Sequence, residues 1–358
     1  MSDVASSQKS AGIIGLGLIG GSVALALRDL GYVVGGVDAD ADIVSRAVAD
    51  GVIAHDGLPA DAAFTVVATP VDPIPAGVKQ ALAETTGWVT DTGSVKGSIA
   101  EAVSHERFVP SHPMAGSEQS GLDGARPDLF RGAAWVITPT IETSDQTLAA
   151  IHELVVGLGA DPLTLEPMAH DRMVATVSHV PHLTAAALMN VASRRSDEHL
   201  AMLRLAAGGF RDMTRIASGS PDIWPPICLQ NGAAITDALD EVIGGLSELR
   251  DAVIGEDAEA IRASLTDARA ARVNLPTSVP LPPGLSEVRV RIKDQRGELA
   301  AITGLAAELD VNIFDLEIAH SAEGPTGVIV LLVDSEVADV LRGGLLARGY
   351  RPSVRPLS

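Results

Sequence analysis

Gly12-Ile-Ile-Gly15-Leu-Gly17-Leu-Ile-Gly20-Gly21-Ser22 is the stretch on which the reading of the fold turns. An apolar, β-rich run enters it, the helical pattern VALALRDLG leaves it, and a second apolar run ends at Asp38. Where a strand hands over to a helix, three glycines at this spacing have separate uses. Gly15 permits a tight turn, Gly17 lets a pyrophosphate approach the backbone, and Gly20 lets the helix lie close to the sheet. Leu18 and Ile19 fall in the first turn of that helix, whose free N–H groups and positive dipole end favour phosphate. The spacing alone is weak evidence, since 35 glycines produce it by chance. Strand, turn, helix, strand and acid in the right order make it a dinucleotide loop. Asp38, eighteen residues after Gly20, suits a carboxylate that accepts from ribose hydroxyls and repels a 2′-phosphate, which favours NAD over NADP. A cap at the strand end is the other use open to Asp38, and Asp40 is a second candidate for the acid.

Outward from this loop, short apolar runs alternate with helical stretches from Ala11 to about Thr140: GIIGLG, VVGGVD, FTVVATP, WVTDT, RFVPSHP and AWVITP. That alternation predicts an α/β fold with a doubly wound parallel sheet, a Rossmann domain assigned here to residues 11–165. From Glu166 the β-rich runs stop, and long patterns such as HDRMVATVSHVPHLTAAALMNVA predict an all-helical domain over 166–274. Its apolar faces are too extensive for a monomer's surface, which predicts a homodimer. Four prolines between Asn274 and Gly284 mark residues 275–284 as an extended linker. Residues 285–358 then read strand, helix, strand, strand, helix, strand, the order of a ferredoxin-like βαββαβ module.

Composition limits the function. The chain has 358 residues, 46% hydrophobic and 20% charged, a globular balance that calls for more than one core. A formal charge of −20, with no basic stripe interleaved with aromatics, argues against nucleic acid as a partner. The same field works against an anionic ligand, so a pocket for one must supply its own arginine, lysine or backbone N–H donors. Cys228, the one cysteine, permits neither an internal disulfide nor a multi-cysteine metal site. The first ten residues lack an apolar signal core and no run of eighteen apolar residues follows, so the expected location is the cytoplasm, away from membranes.

Two further motifs follow strands of the sheet, where ligands of such folds lie: Asp91-Thr-Gly-Ser94-Val-Lys96-Gly97 and Ser111-His112-Pro-Met-Ala-Gly116-Ser117-Glu118. Oxidising a hydroxyl by hydride transfer requires a proton acceptor, and neutral His112 suits that task near pH 7; tying down its own loop is the alternative. With an ordinary histidine pKa, activity would rise through roughly pH 6 to 7. His170, Asp171, His179 and His182 lie in the helical domain. His179 and His182 share a helix face, but two ligands fall short of a metal site, and we assign no metal. Arg211 and Arg215, one helical turn apart, suit a carboxylate or form exposed pairs with neighbouring acids.

Taken together, GLGLIGGS, DTGSVKG, SHPMAGSE, HVPH and GGFRDMTRIA…PDIW resemble the prephenate dehydrogenase family, including its arogenate-using relatives, over roughly residues 11–274. The resemblance implies NAD-dependent oxidative decarboxylation of prephenate to 4-hydroxyphenylpyruvate in tyrosine biosynthesis. It implies that His112 binds the ring hydroxyl with Ser94 beside it, and that Arg215 anchors a substrate carboxylate. It places Glu118, His182 and Trp224 around the substrate. Arg211 stands where some relatives carry lysine, which bears on substrate preference. Residues 285–358 resemble an ACT domain, whose ligands lie near the first strand–helix turn, here ending at Gly297, and near Asn312 and Ile313. Tyrosine is the natural effector, although Arg296 replaces the proline common before that glycine. Three other readings stay open: an arogenate dehydrogenase, a non-catalytic protein that binds nicotinamide and an amino acid, and a β-hydroxyacid dehydrogenase. The last would carry a catalytic lysine in the helical domain, and residues 166–274 contain none.

Overall fold

The computed structural model describes residues 9–117, 119, 121–196, 205–273, 284–293, 295–320 and 326–356. The linker assigned to 275–284, apart from Gly284, and the site residue Glu118 lie outside the described residues. The chain divides into two compact units, Met1–Leu188 with Ile216–Arg269, and Met189–Arg215 with Ala270–Ser358.

In the first unit six parallel strands form one sheet: β1 (Ser10–Ile14), β2 (Val33–Val37), β3 (His55–Asp56), β4 (Phe64–Val67), β5 (Trp88–Asp91) and β6 (Phe108–Val109). Their order is β3-β2-β1-β4-β5-β6. Side chains alternate between the two faces. Ala11, Ile13, Phe64 and Val66 enter one core with α1 (Leu18–Asp29), α2 (Ala41–Ala49) and α5 (Asp145–Gly157). Ile14 and Val67 enter another with α3 (Ile74–Glu84) and α4 (Gly97–Ala102). A sheet buried on both faces explains why FTVV is an unbroken apolar run. The strand order reverses between β1 and β4, so the crevice for a ligand opens beyond their carboxyl ends.

The stretch RFVPSHP, read as one strand, is two. Pro110 has no N–H for a ladder; β6 ends before it and β7 (Ser111–Pro113) begins after it. β7 runs antiparallel to β8 (Ala134–Ile137), which pairs in parallel with β9 (Asp161–Thr164) in a separate three-stranded sheet. β3 and β9 were not expected from the sequence. Both are short and mostly exposed, so neither carries an apolar alternation.

From Pro167 to Val273 the described chain is helical: α6 (Pro167–Val174), a π-type turn (Ala175–His179), α7 (Val180–Ser196), α8 (Gly208–Thr214), α9 (Trp224–Gln230), α10 (Gly232–Ile254) and α11 (Ala258–Val273). Short 3-10 turns, Arg215–Ser218 and Pro221–Ile223, lie between α8 and α9. Among the described residues no helix is long and apolar enough to cross a membrane.

In the second unit β10 (Leu285–Lys293), α12 (Glu298–Glu308), β11 (Ile313–His320), β12 (Thr326–Asp334), α13 (Ser335–Ala347) and β13 (Pro352–Pro356) follow in the βαββαβ sequence. The sheet is antiparallel, in the order β11-β12-β10-β13, and both helices close on it through Ile302, Leu305, Leu341 and Leu345.

The glycine loop gives a stability test. A Cβ on Gly20 would lie 1.8 Å from the Gly15 carbonyl oxygen, whereas one on Gly17 meets nothing within 4 Å. Gly20→Ala is expected to lower unfolding stability by about 2 kcal/mol, and Gly17→Ala to change it by less than about 0.5 kcal/mol. Urea unfolding of both variants checks this, and equal losses would contradict the close approach.

Candidate active site

The floor of the site is the glycine loop. Gly15 has φ +93°, and a Cβ there would press against the Ala68 carbonyl oxygen at 2.7 Å, so glycine is required by both conformation and space. Its N–H bonds to the Val37 carbonyl at 2.8 Å. No side chain caps α1, which leaves the first-turn N–H groups of Leu18 and Ile19 for a ligand. Asp38 takes part in the loop's own construction: its carboxylate accepts from the Leu16 N–H at 2.7 Å and from the Asp40 N–H at 3.0 Å. Asp40 instead caps α2, accepting from the Asp42 N–H. Asp38 is therefore the acid at the end of β2, partly exposed, with lone pairs left over.

The next wall rests on buried charge. Asp91, at the end of β5, forms an ion pair with Lys96, and neither residue is exposed. Lys96 Nζ also donates to the Ser111 carbonyl at 2.7 Å. Asp91 accepts from the Gly93 N–H at 2.8 Å and the Ser111 N–H at 3.2 Å. Burial pushes the Asp91 carboxyl up and the Lys96 ammonium down, and their mutual attraction opposes both. Ser111 Oγ donates to the Asp91 carbonyl and accepts from Trp135 Nε1 at 2.9 Å. These bonds hold β7 against the end of β5, and His112 and Ser94 line the same cavity.

His112 Nδ1 lies 2.9 Å from His170 Nε2, the rings meeting edge to face. His170 Nδ1 lies 2.8 Å from Asp171 Oδ1, and Asp171 also accepts the Lys96 and Gly97 N–H groups, each at 2.8 Å. Burial would raise the Asp171 carboxyl, but the bonds from His170, Lys96 and Gly97 hold it below its ordinary 3.8. Burial, reinforced by His170, Lys96 and His179, drives His112 well below 6.5. His112 is thus neutral at physiological pH.

The opposite wall comes from the helical segment. The π-type turn widens the helix and presents Ser178 and His179 to the cavity. Asn231 Nδ2 faces His179 Nδ1 at 3.3 Å and donates to the Asp171 carbonyl, so His179 keeps its proton on Nε2. Burial lowers His179 to about 4. Its Nε2 and Trp224 Nε1 are buried and have no hydrogen-bond partner among the described residues, though both side chains line the cavity. His182 stacks on Trp224, with centroids 3.7 Å apart. Gln230 ties this wall down, reaching Ser98 and Asp72 at 2.5 Å each.

Between these walls lies a cavity of about 670 Å³, in the range of small-molecule sites. It brings together Gly17, Leu18, Ile19, Ser94, His112 and Trp224 of the residues singled out from sequence. Asp38 and His182 stand outside its lining, the latter behind Trp224. Arg211, in α8, and Arg215, in the turn after it, belong to the other unit, and among the described residues no arginine or lysine lines the cavity. Gly297, with φ +94°, caps α12, Asn312 is exposed and Ile313 begins β11. The sequence reading noted His170, Asp171 and His179 without assigning them to the site. Their only signal was an acid next to a histidine in a helical pattern. Among the described residues no group of three or more His, Cys, Asp or Glu is placed to hold a metal.

Comparison with known proteins identifies the family of the chain. Residues 23–163 match the family model for the prephenate dehydrogenase nucleotide-binding domain, and residues 166–267 the model for the prephenate dehydrogenase dimerization domain. The chain is 32% identical over 346 residues to a prephenate dehydrogenase of Bacillus subtilis, spanning 90% of this chain and 92% of that one. It superposes on A. aeolicus prephenate dehydrogenase, solved with hydroxyphenyl propionate and NAD+, with a TM-score of 0.70 at 28% identity, over 76% of this chain and 99% of that one. For Synechocystis arogenate dehydrogenase the TM-score is 0.64, also at 28% identity, over 74% and 98%.

The depressed pKa of His179 has a thermodynamic consequence. The unfolded chain takes up this proton near 6.5, while the folded chain resists until about 4. Between those values the unfolded state binds more protons, so the contribution of His179 to stability falls as pH falls. Unfolding free energies measured from pH 7 to 4 should decline less steeply in His179→Asn than in the parent, and identical slopes would contradict the assignment.

Proposed function

The chain belongs to the prephenate dehydrogenase family of NAD-dependent oxidoreductases, and from that premise we propose which of its own residues carry the oxidative decarboxylation of prephenate. The observation that carries the reading is a neutral His112 facing, with Ser94, the same cavity as the open N-terminus of α1. Gly17, with free space above it, and the N–H groups of Leu18 and Ile19 hold the dinucleotide's phosphates. Asp38 receives the ribose hydroxyls and disfavours a 2′-phosphate. Bound NAD supplies the hydride acceptor.

His112 takes the proton of the ring hydroxyl as hydride leaves the carbon that bears it. The oxidised ring then loses its carboxylate as carbon dioxide. The electron pair freed by that cleavage aromatises the ring and leaves the former carbonyl oxygen as a phenolate, to which the His112 imidazolium returns the proton. The product is 4-hydroxyphenylpyruvate, with no net proton released, and aromatisation makes the reaction irreversible. Ser94 steadies the hydroxyl beside His112. Substrate oxygens find the N–H groups of His179 and Trp224 that have no partner among the described residues; the resemblance to the family implies Arg215 for a substrate carboxylate, with Arg211, Glu118 and His182 around it.

Residues 166–267 match a dimerization domain, and exposed Val242, Ile243, Leu246 and Leu265 on α10 and α11 support a homodimer. The C-terminal βαββαβ unit is read as ferredoxin-like, a reading its strand order supports, and, by resemblance, as of the ACT type with tyrosine as a feedback ligand near Gly297, Asn312 and Ile313. The expected location is the cytoplasm. The likeness to Synechocystis arogenate dehydrogenase favours arogenate as a second substrate to test.

Purified protein with NAD and prephenate should form NADH, with arogenate and added tyrosine as parallel arms. His112→Asn should lower kcat by about 10²–10⁴-fold. Because burial, with His170, Lys96 and His179 close by, holds His112 below 6.5, the rise of kcat/KM with pH should fall below the pH 6 to 7 window of an ordinary histidine. An unchanged kcat in His112→Asn would remove His112 from the role of base.

A further inference from the structure

We propose that His170 and Asp171 are positioning residues that fix the tautomer of His112, leaving its Nε2 bare toward the substrate. The proposal rests on the reading of His112 as proton acceptor. It begins from Asp171, a nearly buried carboxylate that can only accept hydrogen bonds. With Asp171 Oδ1 at 2.8 Å, the single proton of a neutral His170 sits on Nδ1. His170 Nε2 is then an acceptor, and among the described residues the atom it accepts from is His112 Nδ1, 2.9 Å away. That places the proton of neutral His112 on Nδ1 and leaves Nε2 as the one nitrogen with a lone pair for a substrate hydroxyl. The opposite tautomer would present an N–H to that hydroxyl and could not take its proton.

The chain of bonds also favours the charged form that follows. Once His112 has taken the proton, its Nδ1–H still donates to His170, whose Nδ1–H still donates to Asp171. The carboxylate thus stabilises the imidazolium through one intervening ring without being protonated itself. Burial and the neighbouring His170, Lys96 and His179 oppose that charge, and Asp91 is occupied by Lys96; Asp171 is the carboxylate at the end of the bonded chain from His112 through His170. A purely architectural Asp171 would need only the Lys96 and Gly97 N–H groups. The extra link through His170 to a cavity-lining imidazole is what such a role does not require.

Nitrogen-15 histidine spectra of the full-length protein test the tautomer directly, with signals assigned from His112→Asn and His170→Gln. The expected result is protonated Nδ1 and bare Nε2 on His112; a proton on Nε2 overturns the proposal. Turnover gives the second arm. His170→Leu removes the acceptor and should lower kcat by about 100-fold or more, with KM for the substrate held within about threefold. His170→Gln should retain kcat within about tenfold, because its amide turns NH2 toward Asp171 and oxygen toward His112. Parallel losses in both variants, tracking their melting temperatures, would indicate a structural role only, and full activity in a folded His170→Leu would refute the relay. If His112→Asn keeps its kcat, the base assignment has failed; if only His170→Leu keeps it, the base stands and the relay has failed.

Discussion

The Asp171 carboxylate is the constraint around which the first unit's chemistry is arranged. Its two oxygens accept the Lys96 and Gly97 N–H groups at the start of α4 and the His170 ring on its own helix. A loop of the parallel sheet is thereby tied to the helical segment 75 residues further on. Next to it, Lys96 pairs with Asp91, so two buried acids and one buried lysine form a continuous polar core under the cavity. Such groups are costly to desolvate, and removing one partner strands another at about 3–5 kcal/mol. The arrangement therefore tolerates few alternatives, and His112 inherits its placement from it.

The charge balance is resolved locally. A chain of net charge −20 repels an anionic ligand at long range, yet among the described residues no arginine or lysine lines the cavity. What it offers are N–H groups: the uncapped start of α1 on one side, His179 and Trp224 on the other. Dipoles and neutral donors of this kind stabilise negative charge from within the cavity. Lys96 is close enough to depress His112 but remains sealed behind Ser111.

Local chain chemistry was enough for the outlines. Glycine at 15, 17 and 20 between a strand and a helix has few other uses, and apolar period set the parallel sheet, the helical stretch and the C-terminal βαββαβ order. Ser94 and His112 were legible because each follows a strand whose carboxyl end faces the crevice. The split at Pro110 was legible in principle, since proline cannot donate to a ladder, but the apolar run on both sides concealed it. β3 and β9 were not, because short exposed strands carry no periodic signal.

The rest belonged to tertiary structure. Nothing in a one-dimensional reading brings His170 within 2.9 Å of His112, 58 residues away, or turns His179 inward through a π-type turn. Nor does it drive the pKa of His112 down, since that shift comes from burial and from His170, Lys96 and His179, which other segments contribute. Residue types and their periods reflect the chain's local preferences and fix the kind of chemistry available. The protonation states and the partner of each group depend on through-space distances and on excluded water, and only the folded packing sets those.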